Sequence, residues 1–334
     1  MNDFKLQQAA QLAIGTCLGV KKDEGVLIVT DMEDTSIPEA LLQTAKTLGA
    51  EAQMIHFPMQ EYANQEPPRA TIQAMLASDA IFTVETLTLS YTHAIDDSRK
   101  AGARIIGMPN KMDVTTFVRL TDGLDMDQMV SVCKKLADKM TASTNVHVTS
   151  SLGTDFEFNL DDFAGEALDS IVRNPGDRDW FPPGNTGCGG LQNSGEGILV
   201  VNGIIGRIET APLIEPVQLE VEHGFIKDIR GGREATELIN YWKQFENHEL
   251  YQNCRHVSTL GIGTHPTAKL TSRVLECERI SGSVHFCVGK STGQIDPRGK
   301  RGTVEAPSHV DTIMIGCSLT LDGDLVIDKG RLVI

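Results

Sequence analysis

Several features of membrane, secreted and disulfide-linked proteins are missing from this sequence. No apolar segment approaches 18 continuous residues, so no membrane-spanning helix is predicted. The N-terminal residues lack the charged and then apolar pattern of a signal peptide. The seven cysteines are scattered without a CxxC pair, which is typical of reduced thiols rather than a disulfide framework. We therefore expect a cytoplasmic protein.

Positive charge is also scarce. The formal net charge is −15, and the basic residues form no cluster beyond the short run at residues 298–301. This balance argues against nucleic acid or an anionic membrane as a partner. The 334 residues are enough for two domains, each with its own hydrophobic core.

The first half of the chain alternates between apolar strands and helices. Residues 25–31 predict a buried strand, and a helix follows from Ser36, with Pro38 just inside its start and Gly49 just past its end. Further strands at 52–57, 80–84 and 104–108 alternate with helices at about 68–77, 91–101 and 125–142. This order predicts an α/β N-terminal domain with a mostly parallel sheet. No GxGxxG motif follows the first strand, which argues against a nucleotide phosphate site there.

The second half has a different character. Residues 173–195 are dense in glycine and proline and predict a linker or a long loop. Short strands separated by glycine turns follow, and helical periodicity returns only at residues 234–245. We predict an α/β domain over 1–172, a Gly/Pro-rich segment over 173–195, and an α+β, antiparallel-rich domain over 196–334 that carries a metal site.

The metal site is predicted from a His-x-Asp pair at the entry of a strand. Residues i and i+2 of a strand point to the same face, so His309 and Asp311 lie side by side. His285 lies within another strand-like run upstream. Two histidines and one aspartate form a set that holds a divalent metal ion and leaves coordination positions open. The alternative is a buried histidine bonded to a neighbouring carboxylate. Cys287 and Cys317 lie near this site within apolar runs. They are assigned to core packing, because buried free cysteine behaves as a small hydrophobic residue, and metal ligation is the alternative.

Three stretches together resemble a known family. Residues 224–232, 260–266, and 283–289 followed by 308–311 resemble, in this order, the aminopeptidase T (M29) metallopeptidase family and its relatives. That superfamily includes the iron-dependent 2,5-dihydroxypyridine 5,6-dioxygenases. The resemblance implies that the histidine of a family H-x-A-L-G strand falls on His285, and that a family V-H-x-D pair falls on His309 and Asp311.

The chain departs from both branches of this superfamily at one position. A glutamate in the peptidases and a histidine in the dioxygenases correspond to Thr259. Two metal ions about 3.5–4 Å apart need bridging carboxylates, so Thr259 weakens the case for a second ion. His256 and His265 are candidates for a replacement ligand, with a solvated loop histidine as the alternative for each. Glu196 matches a family glutamate loosely and is the candidate ligand or general base, with an ordinary loop charge as the alternative.

A cationic loop lies between the two ligand strands in the sequence. Arg298 and Arg301 are assigned to binding a substrate carboxylate, for which arginine is geometrically suited. A solvated loop is the alternative reading of these charges.

The resemblance implies a metal-dependent hydrolase acting on a peptide or small amide as the first hypothesis. The second hypothesis is a mononuclear Fe(II) dioxygenase that opens a hydroxylated N-heteroaromatic ring, and the third is a non-catalytic family member. The expected cofactor is a divalent metal ion, which is zinc, manganese or iron(II). We expect a small-molecule or short peptide substrate, no nucleic acid or membrane partner, and a homo-oligomer, specifically a homodimer.

Overall fold

The computed structural model describes residues 3–160, 163–189, 194–291, 302 and 304–334. It divides into two compact units. The first unit comprises Met1–Asp125 and Leu168–Pro183, and the second comprises Met126–Ala167 and Gly184–Ile334.

The described residues form eight α-helices and nineteen β-strands. The α-helices of the described residues are α1 (Asp3–Gln11), α2 (Ser36–Thr47), α3 (Arg69–Leu76), α4 (His93–Lys100), α5 (Val114–Thr121), α6 (Met126–Ala142), α7 (Arg233–Lys243) and α8 (Val274–Cys277). The first ten strands are β1 (Gly25–Thr30), β2 (Glu51–His56), β3 (Ala80–Val84), β4 (Arg104–Met108), β5 (Asn145–Thr149), β6 (Asp155–Asn159), β7 (Glu166–Leu168), β8 (Arg178–Trp180), β9 (Asn185–Gly189) and β10 (Glu196–Val201). The remaining strands are β11 (Ile204–Ile205), β12 (Val217–Glu222), β13 (Phe225–Arg230), β14 (Val257–Gly263), β15 (Val284–Gly289), β16 (His309–Met314), β17 (Ser318–Leu321), β18 (Asp324–Asp328) and β19 (Arg331–Leu332). A π-helix (Leu12–Cys17) extends α1, and a 3₁₀-helix (Tyr251–Arg255) precedes β14.

A five-stranded parallel sheet forms the centre of the first unit. Its order is β2-β1-β3-β4-β8, and every pairing in it is parallel. β3 and β4 are buried along their whole length, as expected for strands with helices on both faces. The predicted α/β domain with a parallel sheet is therefore confirmed.

The second unit is built from two antiparallel sheets. One has eight strands in the order β13-β12-β10-β6-β5-β17-β18-β19, and the other has six in the order β11-β16-β15-β14-β9-β7. A hydrophobic core joins the two sheets: the ring of Phe286 on β15 lies 5.2 Å from that of Phe156 and 5.3 Å from that of Phe158, both edge-on. This confirms the predicted α+β, antiparallel-rich domain and leaves the other face of β15 free to carry polar side chains.

The compact units divide the chain at different residues from the predicted boundaries. Helix α6 and the β5–β6 hairpin, which fall within the predicted domain 1–172, belong to the second unit, because β6 pairs with β10 and β5 pairs with β17. Part of the predicted linker at 173–195 returns to the first unit, where β8 pairs with β4. Among the described residues, no helix combines the length and the apolar character needed to cross a membrane.

A buried carboxyl group follows β3 at the carboxyl edge of the parallel sheet. Glu85 is 2% exposed and accepts hydrogen bonds from the backbone N–H of Leu89, at 2.6 Å, and from the hydroxyl of Thr83. Burial raises the pKa of Glu85, and this effect outweighs the two hydrogen bonds, which lower the pKa. The resulting pKa is about 7. The folded protein therefore keeps a proton on Glu85 that the unfolded chain releases above pH 4.5.

This proton gives a testable pH dependence of stability. The free energy of unfolding should fall as the pH rises from 4.5 to about 7, by up to about 3 kcal/mol from this group, because the unfolded chain binds fewer protons there than the folded protein does. Glu85→Gln should remove that contribution, so the stability of the variant relative to wild type should increase between pH 5 and pH 8 in urea unfolding. The exposed Glu51→Gln is the control. Parallel pH profiles for wild type and Glu85→Gln would contradict the assignment.

Candidate metal centre

Two neighbouring strands of the six-stranded sheet carry the candidate ligands. β15 and β16 pair in antiparallel fashion, with Cys287 opposite Asp311 and Gly289 opposite His309. Because side chains alternate along a strand, Cys287, His309 and Asp311 share one face, while Phe286 points into the hydrophobic core on the other. Because the apolar side chains of β15 and β16 face the core, the polar side chains of both strands are brought together on the opposite face.

Asp311 lies at the centre of these side chains. Its Oδ1 lies 3.1 Å from Sγ of Cys287 and 3.2 Å from Nε2 of His309, and ligand atoms of the three residues lie within 4.8 Å of one another. The Nδ1–H of His309 donates to the backbone carbonyl of Lys290 at 2.6 Å. Since a carbonyl can only accept, this bond fixes the ring and turns Nε2 toward the cluster.

The charges of the cluster depend on one another. Burial alone would raise the pKa of Asp311, but the adjacent His309 holds it well below its usual value. Burial alone would lower the pKa of His309, yet the charge of Asp311 and a hydrogen bond to it raise that pKa. Burial raises the pKa of the Cys287 thiol well above 9, and the charge of Asp311 adds to this. An anionic carboxylate at the centre therefore attracts a cation.

His285 lies diagonally across from Asp311, two residues before Cys287 on the same strand. It is 4% exposed, and burial lowers its pKa to about 4, so the ring is neutral at pH 7. Its Nδ1 is buried and has no hydrogen-bond partner among the described residues. Gly261 on β14 faces His285, and a Cβ atom there would lie 2.1 Å from both Cε1 and Nε2 of the ring. The imidazole of His285 therefore occupies space that is open only because residue 261 is glycine.

The donor set fits a divalent metal ion. Two ligand atoms about 2.1 Å from one ion are separated by roughly 3.0–3.4 Å in octahedral or tetrahedral geometry. Two of the three separations, 3.1 Å and 3.2 Å from Asp311 Oδ1, lie within that range, and the ligand atoms of all three residues lie within 4.8 Å of one another. The outer hydrogen bond of His309 is also typical of a metal-binding histidine.

The family of the chain follows from comparison with known proteins. The family model described as NicX, 2,5-dihydroxypyridine 5,6-dioxygenase, matches residues 5–334. The chain belongs to this family. A 2,5-dihydroxypyridine 5,6-dioxygenase of Pseudomonas putida KT2440 is 28% identical over 277 residues, which cover 79% of this chain and 73% of the relative.

Solved structures show the same fold. The structure of 2,5-dihydroxypyridine dioxygenase from Pseudomonas putida KT2440 superposes with a TM-score of 0.81 at 22% identity, covering 100% of this chain and 98% of the other. Wild-type AmpT from Thermus thermophilus gives a TM-score of 0.74 at 14% identity, covering 99% of each chain. The resemblance to the superfamily of aminopeptidase T and the dioxygenases is therefore confirmed. The predicted divalent metal cofactor is also confirmed, because both the dioxygenase relative and the metal-binding side chains around Asp311 support it.

The first functional hypothesis, a metal-dependent hydrolase, is wrong. The matching family and the curated relative are both dioxygenases. The likeness to AmpT shows the fold alone, because one fold supports unrelated reactions and function depends on the residues of the site.

Glu196 lies outside the cluster around Asp311. It is at the start of β10 in the eight-stranded sheet, and its half-exposed carboxylate accepts a hydrogen bond from the backbone N–H of His223 at 2.9 Å and contacts the imidazole of the same residue at 2.7 Å. The structure therefore does not bring the expected general base to the candidate ligands, and the hydrolase role assigned to it is lost with the hydrolase hypothesis.

The other candidate residues are also separate from the cluster. The ring of His256 packs edge-on against that of Phe225 at 4.5 Å, and burial lowers its pKa. The Nδ1 of His265 accepts a hydrogen bond from the backbone N–H of Thr267 at 3.3 Å, so this histidine serves the local turn. Arg298 and Arg301 lie outside the described residues.

Two residues beside the candidate ligands are not among the predicted site residues. For Cys287 the sequence favours core packing over ligation, yet its i+2 spacing from His285 puts the two on one strand face, away from the core. Glu278 follows the short helix α8 and contacts Arg279 at 2.5 Å. Burial raises its pKa, and the charge of Asp311 adds to this. No motif marks Glu278 in the sequence.

Proposed function

We propose that this chain is a mononuclear iron(II) dioxygenase that opens the ring of a hydroxylated N-heteroaromatic compound of the 2,5-dihydroxypyridine class. The observation that carries the proposal is the donor group at Asp311 within a chain that matches the dioxygenase family over residues 5–334. Among the described residues, this is the one group of three metal-binding side chains. One ion with open positions suits a reaction of a ring with dioxygen.

The ligand residues have separate roles in this proposal. Asp311 supplies negative charge to the ion, and His309 supplies a neutral nitrogen whose direction is fixed by its bond to Lys290. Iron(II), when bound, supplies the redox chemistry that lets dioxygen react with the ring. The neutral, buried His285 excludes water from the same face and offers Nδ1 to a ligand.

Glu278 is proposed to exchange a proton with the substrate. Its carboxyl group interacts electrostatically with Asp311 and His309, and burial raises its pKa. A carboxyl group with a raised pKa is suited to take the proton of a ring hydroxyl near neutral pH and to return it later. The adjacent Arg279, only 2% exposed, holds the carboxylate when that proton has left.

The substrate in this proposal is a small molecule. The net charge of −15 argues against a nucleic acid or a membrane as a partner, as the sequence predicts. The homodimer and the cytoplasmic location stay predictions.

Oxygen labelling tests the proposed function. Protein reconstituted anaerobically with iron(II) is mixed with 2,5-dihydroxypyridine and ¹⁸O₂, and oxygen uptake and product mass are measured. We expect about one dioxygen consumed per substrate and both labelled atoms in a ring-opened product, since that is the stoichiometry of a dioxygenase. His309→Ala is the inactive control. Loss of substrate without oxygen uptake, or a product with one labelled atom, would contradict the proposal.

A further inference from the structure

Cys287 is a buried thiol on the same strand face as the candidate metal ligands. Its Sγ lies 3.1 Å from Oδ1 of Asp311, and it completes the group of donors within 4.8 Å that includes Nε2 of His309. The side chain is 4% exposed. Cys188 and Cys317, in contrast, belong to the hydrophobic core between the two sheets. The packing explanation that accounts for those two cysteines does not account for a thiol directed at a carboxylate.

The residue across the sheet from Cys287 strengthens this observation. Thr259 on β14 pairs with Cys287 on β15, which in turn pairs with Asp311 on β16. The three side chains form one row on a single face of the sheet. A threonine hydroxyl is a poor ligand for a transition metal, whereas the thiol one strand nearer to Asp311 is a strong one once it loses its proton.

We propose that Cys287 is a ligand of the metal ion, so that this chain holds its ion with a cysteine, a histidine and an aspartate. The inference rests on the proposed function for the presence of an ion at Asp311. On binding, a metal–sulfur bond forms, the S–H bond breaks, and its proton goes to solvent, so no oxidant or reductant is required. A thiolate ligand selects iron(II), cobalt(II) and zinc over manganese and magnesium, which prefer oxygen ligands.

His285 is the competing third ligand. It is on the same strand face, and its Nδ1 has no hydrogen-bond partner in the part of the chain that the structure describes. The distances between ligand atoms favour Cys287. Its Sγ lies within 4.8 Å of the ligand atoms of both His309 and Asp311, and His285 is not part of that group. A site with His285 in place of Cys287 contains no metal–sulfur bond, and spectroscopy separates the two arrangements.

Cobalt(II) binding tests the proposal without any turnover. Cobalt(II) is titrated anaerobically into the full-length metal-free protein, and the near-ultraviolet absorption is recorded. We expect a thiolate-to-cobalt charge-transfer band that saturates at about one ion per chain. Cys287→Ser should lose this band and bind cobalt(II) at least about tenfold more weakly. Cys317→Ser, which alters a buried thiol of the hydrophobic core, should keep both.

Two results would overturn the assignment. The first is saturable binding of cobalt(II) to wild type without a charge-transfer band, which needs no variant to fold and indicates the His285 arrangement. The second is a band that persists in Cys287→Ser. Failure of the proposed function is distinguishable, because it appears as absent oxygen uptake in the iron(II) protein whether or not the cobalt band is present.

Discussion

Replacement of Asp311 by alanine is expected to abolish both metal binding and ring opening. Asp311 supplies the carboxylate on which His309 and Cys287 converge, at 3.2 Å and 3.1 Å. Loss of residues that merely orient a ligand costs about 10–100-fold in metal affinity. Loss of the central anionic ligand should therefore exceed about 100-fold, and anaerobic calorimetry with iron(II) measures it directly.

Two further variants sharpen this prediction. Asp311→Asn keeps the shape and a carbonyl oxygen but removes the charge, so its affinity should lie between those of wild type and Asp311→Ala. Asp324→Ala alters an exposed carboxylate of β18 in the same unit and should bind iron(II) like wild type. Circular dichroism checks that each variant is folded. A folded Asp311→Ala with wild-type affinity would exclude Asp311 as a ligand.

The second large effect is expected from Gly261→Ala. The added methyl group would lie 2.1 Å from two atoms of the His285 ring, and the ring is buried between β14 and its neighbours. Overpacking of a rigid interior costs about 1–3 kcal/mol, and this contact belongs at the upper end because the whole ring must move. Urea unfolding should show that loss of stability. Oxygen uptake should also fall, because the His285 ring is displaced from its place beside the candidate metal ligands.

A double variant separates the clash from other effects of the substitution. Gly261→Ala combined with His285→Ala removes the ring, so its stability should exceed that of Gly261→Ala alone, while activity stays low. Gly107→Ala is the matched control, because the nearest described atom to a Cβ atom there is the Thr83 hydroxyl oxygen, at 3.5 Å. Equal stability of the single and double variants would mean that the imidazole does not occupy the space above Gly261.

The alternation of apolar and polar residues was sufficient to predict much of the fold. The buried strand β1 and the helix α2, with Pro38 in its first turn, lie where the sequence predicted them. The His309–Asp311 pair lies on one strand face because a period of two residues is a local property. The units divide elsewhere than predicted because the pairing of β6 with β10 joins distant residues, which no local pattern encodes.

The parts of the site that the sequence misplaced depend on contacts between distant strands. Glu196 and His309 belong to different sheets, which only the strand pairings establish. Cys287 looked like a core residue because its neighbours are apolar, yet its register with Asp311 directs it to the opposite face. The motifs did not decide between a hydrolase and a dioxygenase, since a fold alone does not determine the reaction and Thr259 matches neither ligand pattern.

Anomalous X-ray diffraction from crystals of the anaerobic, iron(II)-loaded protein tests the central claim most directly. Data collected on either side of the iron absorption edge locate the ion without reference to activity. We predict one anomalous peak per chain, within about 2.0–2.3 Å of Nε2 of His309 and a carboxylate oxygen of Asp311. A peak at His256, at His265 or beside Glu196, with none at Asp311, would contradict the account.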